Sequence, residues 1–123
     1  MVSDETIKWV TVGNRVLLGA VMLVPGLLKL FVLKPATIQG MLSGLGFPIA
    51  GVLAWVLIIA EILTGIAILA KFKLEWATIP PVVILVVAAF TFHMTPQANW
   101  PNVIVHLALA SNFVLLGLGV TKE

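Results

Sequence analysis

Residues 12–33 read VGNRVLLGAVMLVPGLLKLFVL, an apolar run whose only ionisable side chains are Arg15 and Lys29. Arg15, Gly19, Met22, Gly26 and Lys29 follow one another at spacings of 4, 3, 4 and 3. On an α-helix these spacings put all five residues on one face and leave Val, Leu and Phe on the other. A cation is costly inside hydrocarbon, and a glycine lets a second helix approach closely. The stripe therefore looks into a helix bundle, and the rest of the chain is expected to assemble on it.

The same conclusion follows from composition. Of 123 residues, 61% are hydrophobic and 10% charged, and the mean hydropathy is +1.18. A water-soluble fold of this size leaves too much surface exposed to hide that much apolar area. The length is that of one integral membrane domain, residues 1–123. A net charge of +2, with the basic residues scattered, gives no footprint for nucleic acid. The chain has no cysteine, so it has no disulfide, no thiol relay and no Cys-held iron–sulfur cluster. The polar start, with no cleavage pattern after the first apolar run, reads as a retained helix rather than a signal peptide.

Four apolar stretches have the length of a membrane span, at residues 12–33, 48–70, 76–94 and 102–120. Backbone polar groups in lipid must be satisfied within the segment, so each span is expected to be helical. The fold class is all-α, a four-helix transmembrane bundle. Between the first two spans, Ile38, Met41, Leu42 and Leu45 fall at helical spacing and read as a short interfacial amphipathic segment. In the second span Gly51, Ala54, Ile58, Glu61, Gly65 and Ile68 form another small-residue stripe, interrupted by one carboxylate, and the two stripes are natural partners. The short loop at residues 71–75 makes the second and third spans an antiparallel hairpin. Lys8, Arg15, Lys71, Lys73 and Lys122 fall on one side and Lys29 and Lys34 on the other, so the positive-inside rule puts both termini in the cytoplasm of a multi-pass cell-membrane protein.

Arg15, Lys29, Glu61, His93, His106 and Asn112 are the candidate ligand-binding residues. At 1.5 Å per residue, Lys29 stands about 21 Å from Arg15 along the first helix. Lys29, His93 and His106 then share the outer half, Glu61 and Asn112 lie near mid-depth, and Arg15 lies near the cytoplasmic boundary. Such a set can form a polar pocket in which Glu61 and the histidines exchange protons while the cations hold a carbonyl or anionic oxygen. It can equally be a set of ion pairs and hydrogen bonds that fix helix register, with Glu61 paired to either Arg15 or Lys29. Two histidines without a surrounding Cys or carboxylate cluster do not make a metal centre. No nucleophile-and-base arrangement points to a hydrolase, and no catalytic residue is assigned.

The order Arg15, Leu18, Gly19, Pro25, Gly26, Lys29, Leu30, then Gly46, Phe47, Pro48, then Glu61, Gly65 and finally His93 resembles the DoxX family of small four-helix membrane proteins. The family takes its name from a membrane subunit of a thiosulfate–quinone oxidoreductase, and other members are similar to redox-complex subunits or assembly helpers. The resemblance implies a four-helix bundle in the cytoplasmic membrane, with Arg15, Lys29 and Glu61 at the family's characteristic charged positions. No soluble domain is expected beyond the fourth span, so any enzymatic role expected of the chain is that of a non-autonomous subunit.

The leading expectation is a membrane subunit of a quinone-linked redox system, with quinone as the possible cofactor. The lipid bilayer and a membrane or redox partner protein, or a second copy of the chain, would be its partners. A non-enzymatic assembly factor or structural partner is the alternative, resting on the small-residue stripes. A small transporter ranks third, because four helices need an oligomer to build a path.

Overall fold

The computed structural model describes residues 2–92 and 100–120. The chain folds into an all-α bundle of six helices among those residues: α1 (Asp4–Phe31), α2 (Pro35–Gly44), α3 (Ala50–Leu69), α4 (Leu74–Ala77), α5 (Ile79–Phe92) and α6 (Trp100–Gly117). Three of them, α1, α3 and α6, are long and apolar enough to cross a membrane.

Local chemistry sets the helix ends. The Ser3 side chain accepts a hydrogen bond from Thr6 N–H at 3.1 Å, and Asp4 and Glu5 occupy the positive end of α1. This cap starts α1 eight residues before the apolar run begins, and the helix continues through Pro25. Helix α2 starts on Pro35 and ends in a Schellman closure: Gly46 adopts φ +89°, Gly46 N–H donates to Ser43 O, and Phe47 N–H donates to Leu42 O. The same closure ends α6, with Gly119 at φ +77° and Val120 N–H donating to Leu115 O.

The third apolar stretch departs from the expected single span. One turn, α4, stops at Thr78, whose Oγ1 donates to Leu74 O at 2.8 Å, and α5 starts afresh with Pro80 and Pro81 in its first turn. Prolines offer no N–H to the carbonyls of the preceding turn, so α4 and α5 are separate pieces, each shorter than α1, α3 or α6.

Helix α1 packs on α3 more extensively than any other pair, and α5 on α6 comes next. Two cores result. At one end of the bundle Leu18, Met22, Ile68, Leu85, Ala110, Phe113 and Leu116 join α1, α3, α5 and α6. At the other end Ile38, Leu42, Ala54 and Ile58 join only α2 and α3, with Leu30 of α1 against them. Helix α2 therefore places half of its expected apolar face, Ile38 and Leu42, inside the protein, while Met41 and Leu45 stay exposed.

Candidate functional site

The two small-residue stripes meet. Leu18, Gly19, Met22 and Gly26 of α1 are buried, as are Ala54, Ile58, Glu61, Thr64, Gly65 and Ile68 of α3. The helices run antiparallel at close range. A Cβ on Gly65 would come within 2.7 Å of Leu23 N, and one on Gly26 would come within 3.0 Å of Glu61 Cβ. Only glycine permits this approach, and it fixes the register in which the charges meet.

That register gives Glu61 to Lys29. Lys29 Nζ donates to Glu61 Oε1 at 2.5 Å, in a pair where the Glu61 side chain is 3% exposed and that of Lys29 24%. Arg15 lies at the other end of the seam and donates to Ile68 O and Leu69 O at the end of α3. Those carbonyls lie at the negative end of the helix dipole, and although Ile68 O also accepts from Lys71 N–H at 3.1 Å, Arg15 adds a side-chain cap to both. Lys71 follows at φ 58°, a left-handed conformation that lets Phe72 N–H close back on Ala67 O.

Asn112 of α6 exchanges two hydrogen bonds with Asn14 of α1: Asn112 Nδ2 donates to Asn14 Oδ1 at 2.8 Å, and Asn14 Nδ2 donates to Asn112 Oδ1 at 3.2 Å. Sequence reasoning did not single out Asn14. The available signal was a lone amide within an apolar span, next to Arg15, in a medium where an amide needs a partner.

Above the shared core, α3 and α5 stand apart. The gap is a cavity of about 740 Å³ lined along α3 from Leu53 to Glu61 and along α5 from Ile79 to Ala88, with α2 and Phe47 at its end. Among the described residues that line it, three are polar: Lys29, Glu61 and His106. Val56, Val83 and Val87 belong to the lining and are exposed, so the cavity is open along α3 and α5. Glu61 Oε2 is buried and has no hydrogen-bond partner among the described residues. His106 Nδ1 lies 2.7 Å from Asn102 O. A carbonyl only accepts, so Nδ1 carries a proton and donates to it.

The six candidates therefore separate. Lys29, Glu61 and His106 share one cavity, Arg15 and Asn112 hold helices together at the other end, and His93 lies outside the described residues.

A protein-family model described as DoxX matches residues 11–94, more than half of the sequence. The chain belongs to the DoxX family and is a multi-pass membrane protein. Neither a curated protein nor a solved structure matches it.

Proposed function

We propose that this DoxX-family protein is a membrane subunit of a quinone-linked redox system, and that its own contribution is to hold the quinone in the cavity between α3 and α5. One observation carries the reading: an apolar, open cavity has its polar groups, Lys29, Glu61 and His106, gathered in its wall. A quinone is an apolar ring with two carbonyl oxygens, and binding sites for such molecules combine apolar walls with a few fixed polar groups. Lys29 has protons beyond the one given to Glu61 and can donate to a carbonyl. Electrons reach the bound molecule from a partner protein, and the quinone supplies the redox chemistry.

The reading includes four membrane crossings in one integral domain, with α4 and α5 together making the third and α2 lying at the outer interface. The cation distribution supports both termini on the cytoplasmic side. An assembly factor using the small-residue stripes draws less support, because Gly19, Gly26 and Gly65 already serve the contact between α1 and α3.

The test is binding of a short-chain benzoquinone to the protein in lipid nanodiscs. One saturable site per chain is expected, abolished by Ala60→Phe, which fills the cavity wall beside Glu61. Absence of saturable binding of both the benzoquinone and its quinol by the unaltered protein overturns the reading.

A further inference from the structure

The unpartnered oxygen of Glu61 specifies more about the ligand than the cavity does. Glu61 Oε1 accepts a hydrogen bond from Lys29, whereas the buried Oε2 accepts none from any described residue. A carboxylate in an ion pair only accepts hydrogen bonds, and an enclosed acceptor left unmade is costly. The group that completes it must be a donor. Away from Lys29, Glu61 and His106 the wall suits an apolar body: from Leu53 to Ala60 on α3 and from Ile79 to Ala88 on α5 every lining residue is apolar. This corridor is about 10 Å long at 1.5 Å per residue along α3. Its opening, flanked by Val56, Val83 and Val87, faces the surface that meets lipid, so the ligand arrives from the bilayer.

We infer that the cavity selects a neutral hydroxyl-bearing amphiphile, whose O–H donates to Glu61 Oε2 after a rotation of the carboxylate brings that oxygen to the cavity surface, while its apolar body lies between α3 and α5. The inference rests on reading the cavity as a ligand site. Within the quinone reading it makes the reduced, hydroxyl form the more tightly held of the two. A quinol and an isoprenoid alcohol share the chemistry, and the experiment separates them.

Dissociation constants are measured in phosphatidylcholine nanodiscs for a short-chain benzoquinol, its dimethyl ether and the matching quinone, and for farnesol and its methyl ether. A hydrogen bond to a charged acceptor predicts that the hydroxyl compound binds at least about tenfold more tightly than its ether. Lys29→Met combined with Glu61→Leu removes both charges together, avoids stranding either one, and should abolish that preference. Glu61→Gln, whose amide oxygen still accepts, should keep part of it.

Tight quinol binding supports the inference and the redox reading together. Tight farnesol binding with neither quinol nor quinone bound supports the inference and overturns the redox reading. Ethers or quinone binding as tightly as the hydroxyl compounds overturns the inference, because an acyl chain or a carbonyl then suffices, and leaves the cavity a ligand site. No saturable binding by any of the five overturns both.

Discussion

Arg15 and Lys29 sit on one face of one helix, both partly buried, and both reach across to α3, yet they end in opposite situations. Around Arg15 the polar groups are matched. Its guanidinium meets two helix-end carbonyls, the neighbouring Asn14 and Asn112 satisfy each other, and four helices close over them with Phe113 and Ile68 at 0% exposure. Around Lys29, among the described residues, α1, α2 and α3 share a core, α5 stands off, and one carboxylate oxygen is left over. A cation on a small-residue stripe thus has no fixed meaning. The packing beyond its partner decides whether it becomes architecture or a site.

The comparison breaks most severely at the open end. Lys29→Met leaves the enclosed Glu61 carboxylate without its counter-charge and is expected to cost about 3 kcal/mol of stability in reversible unfolding from mixed micelles. Little or no loss would mean that the carboxylate is not ionised in the fold.

Gly65→Ala attacks the register that both ends depend on. The methyl group would meet the Leu23 backbone, which cannot move aside as a side-chain tip can, so about 2 kcal/mol should be lost by overpacking. The Lys29–Glu61 and Arg15 contacts should loosen together, which cross-linking of cysteine pairs placed along α1 and α3 would read.

At the closed end Arg15→Met removes the two bonds to Ile68 O and Leu69 O. The turn from Phe72 N–H to Ala67 O still closes α3, so the expected loss is about 1.5 kcal/mol, measured by the same unfolding experiment. Benzoquinol affinity should not change. A change in affinity would mean that the two ends are coupled and would weaken the contrast drawn between them.

The smallest effect is assigned to the amide pair. A double-mutant cycle of Asn14→Leu and Asn112→Leu should give a coupling of about 0.6 kcal/mol, the usual size for such bonds between membrane helices. A value near zero would leave the four-helix closure to apolar packing alone.

Much of the fold is legible in the amino-acid sequence, because its signals are local. Hydropathy over 18 or more residues marks a span, and 3.6-residue periodicity marks its inward face, so the stripes of α1 and α3 are readable residue by residue. The early start of α1 is foreshadowed by Ser3 and Asp4, a capping signal outside the apolar run. Pro80 and Pro81 are visible too, but their position past Thr78 makes them a break between two helices, which depends on where the preceding turn ends.

The sequence by itself determined a membrane-embedded helical protein, the two faces that meet, and a short list of polar residues. Only the tertiary structure decided that Glu61 belongs to Lys29, since Arg15 lies on the same face and the choice turns on how far α1 slides along α3 before Gly65 meets Leu23. It alone joined Asn14 to Asn112, 98 residues apart. It alone opened the cavity, because an empty volume belongs to the separation of two helices and is written in the sequence of neither.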